Sequence, residues 1–296
     1  MKSGFVSIIG RPNTGKSTLL NNILDFKVAI TSDKSGTTRN IIQGIYNEDG
    51  IQIVFLDTPG IHKPQNKLGK VLNKEAYSLM EDVDVILFLV DGKAGLGKGD
   101  KMILESLKNS SCPVILVINK IDLISKEELL FKIKEYSDLY SFNEIVPVSA
   151  YTGDNVKTLI DVVKKYLTNN IRYFGDDEIT SSPYSFLASE YVREKILQET
   201  EEEIPHSITC VTTGYKDEKN LASINVLIIV DRDSLKKIII GKNGDRLKRI
   251  GTLSRKDLEK LVGKKVYLEL YVKTVKNWRN KMSVLTELGF NELNLK

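Results

Sequence analysis

The sequence predicts an α/β protein of two unlike domains, a mostly parallel sheet with helices on both faces followed by a smaller α+β domain. Three observations carry this. Over residues 1–170 short apolar runs alternate with helical patterns, the order that builds a parallel sheet. Residues 186–296 change character and read α-β-β-α-α-β. Between them the stretch Asn169–Pro183 mixes acidic, Ser, Gly and Pro residues without periodicity, so residues 171–185 read as a linker. A chain of 296 residues is long enough for two ordinary domains, and it contains no internal repeat.

Taken in order, Phe5–Gly10 is a short buried strand running into a glycine-bearing loop, and Lys16–Leu24 opens the first helix. Asn40–Tyr46 and Ile51–Leu56 flank Asn47-Glu48-Asp49-Gly50. An Asp-Gly pair between two β-rich runs marks a hairpin, so these strands should be antiparallel neighbours. Val85–Val90, Val114–Ile118 and Ile145–Val148 are further strands, separated by helical patterns over Leu68–Met80, Lys98–Asn109, Lys126–Tyr140 and Val156–Leu167. In the second part Phe186–Glu203 is helical, ending at Pro205. Ser207–Tyr215 and Leu221–Val230 are strands, Ser234–Ile240 and Asp245–Val262 helices, and Lys265–Val275 a last strand.

Composition narrows the function classes. Apolar content of 41% with 28% charged residues is that of a soluble globular protein. Cys112 and Cys210 lie in apolar runs without metal-ligand spacing and read as reduced core residues of a cytosolic protein. The start of the chain does not read as a signal peptide, and the longest apolar run, Val85–Val90, is far below the roughly 20 residues of a membrane span. Charge is uneven. Residues 1–180 carry 22 Lys/Arg against 23 Asp/Glu, whereas Arg232–Lys281 carry 16 against 5. An excess that large favours a polyanion partner over a merely solvated face.

Five short motifs then occur in one order: Gly10-Arg11-Pro12-Asn13-Thr14-Gly15-Lys16-Ser17, Thr37-Thr38, Asp57-Thr58-Pro59-Gly60, Asn119-Lys120-Ile121-Asp122 and Ser149-Ala150. They fall at the carboxyl ends of strands, where such sheets bind ligands. The first follows a strand and opens a helix, the setting of a phosphate-binding loop, or P-loop. Gly10 and Gly15 let the backbone close on phosphate oxygens, and the loop N–H groups and helix N-terminus supply partial positive charge. Lys16 is placed to reach the β- and γ-phosphates, and Ser17, followed by Thr18, to ligate Mg²⁺. Thr38, or its neighbour Thr37, should complete the Mg²⁺ shell when GTP is present, and Asp57 should hold Mg²⁺ through a water. The Gly60 N–H should meet the γ-phosphate. Because these contacts form only with GTP, the segments around Thr38 and Gly60 read as switch loops, and Lys16, Thr38 and Gly60 as the groups that act on the reacting phosphate.

The fourth motif selects the base. The Asp122 carboxylate can accept both N–H groups of guanine's Watson–Crick edge, and adenine presents the wrong pattern. An unpaired buried acceptor costs several kcal/mol, so the discrimination is about 10⁴. Lys120 should lie over the base plane and the Ala150 N–H should meet the guanine carbonyl, with Ile121, Ser149 and Tyr151 completing the pocket. The cofactors expected are therefore GTP or GDP and Mg²⁺. Ile61 stands after Gly60, where Ras-like proteins carry a Gln that orients attacking water; an aliphatic chain cannot do this.

The second domain carries Ile240-Gly241-Lys242-Asn243-Gly244 between two helices, followed by Arg246, Lys248 and Arg249. A Gly-x-x-Gly loop lets a sugar–phosphate backbone lie close, with Lys242 and the following basic residues neutralising phosphates. The apolar strand Leu221–Val230 is expected to supply the floor for bases.

The runs Gly-Arg-Pro-Asn-x-Gly-Lys-Ser-Thr, Gly-Thr-Thr-Arg, Asp-Thr-Pro-Gly-Ile-His and Asn-Lys-Ile-Asp resemble the TrmE–Era–EngA group of bacterial GTPases. That resemblance implies a potassium ion near Asn13 in place of an arginine finger. The second domain resembles a type II KH domain, and the whole chain is similar to the Era family, including Ser189-Glu190-Tyr191-Val192-Arg193-Glu194-Lys195 and Ile204-Pro205-His206-Ser207. The resemblance implies binding near the 3′ end of 16S ribosomal RNA and a role in maturing the 30S ribosomal subunit. It also implies a cytoplasmic monomer with some peripheral membrane association. The chain departs from the family at Ser181–Phe186, which lacks a charged Asp-x-Pro-x-Arg-Phe pattern.

His62 reads as a loop residue in preference to a catalytic one, and Trp278 as either core or a stacking platform above a basic terminal surface. Two other functional classes stand beside the GTP-driven switch. One is an RNA-binding module in which GTP only stabilises the fold, and the other a membrane-linked signalling GTPase. Thr38 and Asp57 argue against the first, because an inert nucleotide domain needs no switch threonine. The Gly-x-x-Gly loop argues against the second.

Overall fold

A computed structural model describes residues 1–34, 36–80, 82–201 and 204–290. The first sheet holds β1 (Lys2–Ile9), β2 (Ile42–Glu48), β3 (Ile51–Asp57), β4 (Val85–Asp91), β5 (Val114–Asn119) and β6 (Glu144–Pro147) in the order β2-β3-β1-β4-β5-β6. Only the β2–β3 hairpin is antiparallel, as its Asp-Gly turn dictates. Strands β4 and β5 are buried almost throughout, because helices cover both faces. On one face lie α1 (Lys16–Leu24) and α5 (Val156–Val163), over a core that includes Val6, Phe55 and Leu87. On the other lie α2 (Lys67–Ser78), α3 (Lys98–Leu107) and α4 (Lys126–Ser137), over Ile9, Phe88 and Leu116. Local signals set the helix starts. The Asn66 side chain accepts the Gly69 N–H at 2.8 Å, and Ser125 and Glu128 form a reciprocal capping box.

The second domain packs α6 (Tyr184–Glu199), α7 (Ile204–Ser207), α8 (Asp233–Ile240) and α9 (Asp245–Val262) against the sheet β7-β8-β9. Its strands are β7 (Ile208–Asp217), β8 (Leu221–Val230) and β9 (Lys265–Thr274). β7 pairs antiparallel and β9 parallel with the central β8. A last helix, α10 (Met282–Glu287), was not expected from the sequence.

One expectation needs correction, and the structure adds to others. Pro205 does not terminate the long helix; it lies within α7, and α6 ends at Glu199. Trp278 is core: it is fully buried, and its indole N–H donates to the Ser207 carbonyl at 3.1 Å. The linker is strapped to the first domain. Gln52 Oε1 accepts the N–H groups of Tyr173 and Phe174 at 2.8 and 3.0 Å, and the Ile45 N–H donates to the Ile179 carbonyl at 2.8 Å. Leu68, Val71 and Leu72 of α2 pack with Ile229, Trp278, Leu285 and Phe290, so an apolar cluster joins the two domains. The end of the helix expected to reach Glu203 and the last residues of the expected basic tail, 291–296, lie outside the described residues. No helix among the described residues is long and apolar enough to cross a membrane.

Candidate nucleotide and nucleic-acid sites

The loop between β1 and α1 is built from its own backbone contacts. Gly15 adopts φ 95°, and a Cβ there would stand 2.2 Å from Asn119 Nδ2; at Gly10 it would stand 2.3 Å from the Leu89 carbonyl oxygen. Glycine is therefore required by the protein's interior as well as by any phosphate. Lys16 folds back over the loop, its ammonium donating to the carbonyls of Arg11 at 2.9 Å and Gly10 at 3.3 Å. Arg11 points away, paired with Asp100 at 2.9 Å, and the Thr14 hydroxyl donates to the Arg11 carbonyl at 3.0 Å. Pro12, Asn13 and Thr18 line the same cleft as Lys16 and Ser17.

The three expected metal-binding residues meet. Ser17 Oγ donates to Asp57 Oδ2 at 2.6 Å and lies 2.9 Å from Thr38 Oγ1, which in turn donates to Asp57 Oδ2 at 3.5 Å. Asp57 Oδ1 is buried with no hydrogen-bond partner among the described residues. A buried carboxylate oxygen without a donor, beside two hydroxyls, is a set of hard oxygen ligands that fits Mg²⁺. Burial pulls the Lys16 ammonium down to about 8, opposed by the charge of Asp57. Burial pushes the Asp57 carboxyl up to about 6, opposed by Lys16, Ser17 and Thr38. At neutral pH both remain mostly charged.

Around them, the Thr58 hydroxyl donates to the Ile8 carbonyl at 2.8 Å, and Pro59 is buried. A Cβ at Gly60 would stand 2.6 Å from the Pro12 nitrogen, so the two loops touch. Ile61 is fully buried in the core, its N–H donating to the Gly10 carbonyl at 3.1 Å. It fixes the loop and faces no water. His62 is held by its own loop, with Nδ1 2.8 Å from the Gly60 carbonyl oxygen.

At the base end, Asn119 is the keystone. Its Nδ2 donates to the Thr14 carbonyl at 2.7 Å and its Oδ1 accepts the Ala150 N–H at 2.9 Å, joining three of the motifs. Lys120, in the left-handed region at φ 66°, spans to the Asn13 carbonyl at 2.9 Å and Asp91 at 2.5 Å. Asp122 is exposed and accepts the Ser149 hydroxyl at 2.6 Å; Ile121 is half-buried and Tyr151 is open to solvent.

Sequence reasoning missed the residues that tie this site to the second domain. Arg39, next to Thr38, is buried and donates to the carbonyls of Ile208 and Pro205, with its guanidinium 5.9 Å from the Trp278 ring centre. Arg193 of α6 donates to the Thr37 carbonyl while paired with Glu190. Glu194 accepts the Thr31 N–H at 2.9 Å and the Lys27 ammonium at 2.5 Å. Lys27 also reaches Asp257 of α9 at 3.5 Å. The available signal was α6 itself: its charges sit among apolar residues on every side, so some had to be buried and paired.

In the second domain, Gly241 and Gly244 take φ 76° and 82°, and Lys242 and Asn243 between them are exposed. Arg246 folds back to the Ile238 carbonyl at 2.8 Å and Arg249 pairs with Glu199 at 3.0 Å, whereas Lys248 is exposed and lines a groove of about 520 Å³. Ile240 is half-buried beneath the loop. The groove runs between α9, with Gly251, Thr252 and Arg255, and β9, with Val266, Leu268 and Leu270. The expected floor, Leu221–Val230, is corrected to β9. As the central strand, β8 spends Ala222, Ile224, Val226 and Ile228 on the core. Counting in helical steps from Gly244 through Lys248 and Gly251 to Arg255 would have found the α9 wall.

A family model described as a 50S ribosome-binding GTPase matches residues 5–120, and a KH domain model matches residues 203–279. Among solved structures, a single-residue variant of Era from Aquifex aeolicus bound to GDP·AlF₄⁻ superposes with a TM-score of 0.93. Its identity is 43% over 98% of this chain and 99% of that one. A structure of Era with MgGDPNP and nucleotides 1506–1542 of 16S ribosomal RNA gives the same TM-score, identity and coverage.

Proposed function

The chain belongs to the Era family of GTPases, and from that premise we propose that it is a GTP-hydrolysing switch acting on ribosomal RNA. It binds the 3′ region of 16S ribosomal RNA through its KH domain and assists maturation of the 30S subunit. The observation that carries this reading is the junction at Thr38-Arg39. One residue belongs to the metal-binding cluster, and the next is bonded into the second domain.

Lys16 and the loop N–H groups receive the β- and γ-phosphates, and the Gly60 N–H meets the γ-phosphate. Ser17, Thr38 and Asp57 hold Mg²⁺, which when bound offsets the charge on the β- and γ-phosphate oxygens. Asp122 reads the guanine edge while Asn119 holds the loops around it. Ala150 N–H is bonded to Asn119 Oδ1, so it reaches the guanine carbonyl by sharing that bond. Ile61 cannot orient water, so intrinsic hydrolysis is slow. The Asn13 amide nitrogen donates to the Asp33 carbonyl at 2.7 Å, which leaves its carbonyl oxygen for a potassium ion beside the phosphates.

A competition assay against fluorescent GDP tests the reading. GTP and GDP displace the probe and ATP does not, Asp122→Asn shifts preference to xanthosine nucleotides, and single-turnover hydrolysis is faster in potassium than in sodium. Equal displacement by ATP and GTP would contradict the guanine assignment, and equal rates in the two salts the potassium site.

A further inference from the structure

The outer face of the second sheet is covered by the Trp278 cluster around Leu227 and Ile229, but along β9 it carries a row of aromatic and basic residues, of which Tyr267 also lines the groove. On β9, Val266, Leu268, Leu270 and Val272 turn toward the helices and their core. The alternate residues Lys265, Tyr267, Glu269, Tyr271 and Lys273 therefore share the opposite face. Tyr267 and Tyr271 are 54% and 53% exposed, among the most exposed aromatic side chains of the domain. Both phenols donate to the same carboxylate, Glu269, at 2.8 and 2.9 Å, so the rings lean toward one another and are held. On β8, Ser223 stands opposite Tyr267, Asn225 opposite Glu269 and the half-buried Leu227 opposite Tyr271, and both rings remain more than half exposed beside them. Lys265 and Lys273 are exposed at either end of the row.

Resting on the KH reading above, we infer that this tyrosine face is a second RNA-binding surface, a stacking platform for unpaired bases of the strand that occupies the groove. Continuity supports it. Tyr267 lines the groove and also stands on the outer face, and β9 is an edge strand, so RNA can pass from one to the other around that edge without crossing another element. Charge supports it too, since Arg232–Lys281 carry 16 basic against 5 acidic residues. Glu269 is engaged by the two hydroxyls, with a lysine at either end of the row, so it orients the rings more than it repels phosphate. Aromatic faces accept any base, so this surface adds affinity with little sequence preference.

Tyr271 is the residue to test, because it stands on the face and not among the groove residues. The probes are single-stranded RNAs drawn from nucleotides 1506–1542 of 16S ribosomal RNA, lengthened stepwise in both directions and titrated by fluorescence anisotropy. The shortest RNAs, held by the groove alone, bind Tyr271→Ala as they bind the native chain. For longer RNAs Tyr271→Ala loses about tenfold in affinity, the scale of one stacked base. Tyr271→Phe retains the affinity, and the salt slope is unchanged because stacking neutralises no phosphate. Native binding of every length by Tyr271→Ala, with a native melting temperature, would overturn the platform. An equal loss at every length, or an equal loss in the Phe variant, would also overturn it. The double variant Lys242→Asp, Asn243→Asp separates the two readings. Loss there with none in Tyr271→Ala removes the platform alone, whereas native binding by that double variant removes the groove reading and the platform with it.

Discussion

Two glycine loops in this chain, each proposed to receive phosphate, are built in opposite ways. In the first, added Cβ atoms would strike the Leu89 carbonyl at 2.3 Å and Asn119 Nδ2 at 2.2 Å, and Lys16 is only 5% exposed. In the second, a Cβ at Gly241 would stand 2.8 Å from Arg246 Cβ at the start of the following helix, but one at Gly244 meets nothing within 4 Å, and what calls for glycine there is its φ of 82°. Lys242 and Asn243 stand in solvent. A loop that encloses a small ligand must fix each donor from the interior behind it. A loop that receives a polymer must stay open to a chain passing across it, so the glycine at its exposed end, Gly244, answers to backbone conformation alone.

The largest test of this contrast is a matched pair of substitutions. Gly15→Ala forces Asn119 off the Thr14 carbonyl and disturbs its bond to Ala150, so GTP affinity should fall at least about 100-fold and stability by ~3 kcal/mol. Gly244→Ala should cost only ~1 kcal/mol of left-handed strain and leave GTP binding native. Thermal melts and nucleotide titrations read both; equal costs would erase the distinction.

A smaller effect is expected from charge reversal at the open loop. Lys242→Asp with Asn243→Asp should leave folding and GTP binding intact. It should weaken RNA binding and flatten its salt dependence by about 0.7 in log–log slope for each phosphate the loop no longer neutralises. A native slope would mean that the loop touches no phosphate.

The smallest effect sharpens the contrast at α2, which runs from the switch segment to the second domain. Glu75 is 8% exposed, no partner for its carboxylate is found among the described residues, and burial pushes it up to about 7. The unfolded chain releases this proton near the ordinary glutamate value, so between that value and about 7 folding takes up a proton and stability falls as pH rises. Glu75→Gln should therefore stabilise the protein by ~1 kcal/mol at about pH 8 and by nothing at about pH 4. A gain independent of pH would place the cost elsewhere than in the charge.

The nucleotide site was legible in the sequence because its chemistry is local. Four of its five motifs are a strand end plus a few residues, Thr37-Thr38 lying in the loop before β2, and the β2–β3 hairpin follows from Asp49-Gly50 alone. The junction between the domains was not, since Arg39 with Ile208 and Arg193 with Thr37 are joined by tertiary packing that no periodicity records. The RNA groove was half legible. Gly241–Gly244 marks the loop, but two apolar strands compete to be its wall, and only the pairing order makes β8 central and β9 the edge. Trp278 had two readings for the same reason, and the Ser207 carbonyl that receives its N–H decides for core.

The two loops are coupled, on this reading, through Thr37, Thr38 and Arg39. With Thr38 drawn to Ser17 and Asp57, Arg39 and Arg193 hold the domains in an arrangement where the groove is open. GTP, by holding Thr38 there, should favour that arrangement. The direct test is RNA affinity of the intact chain with GDPNP and with GDP at one salt concentration, using the 1506–1542 segment. Binding should be at least about fivefold tighter with GDPNP. Equal affinity in the two nucleotide states would contradict the coupling.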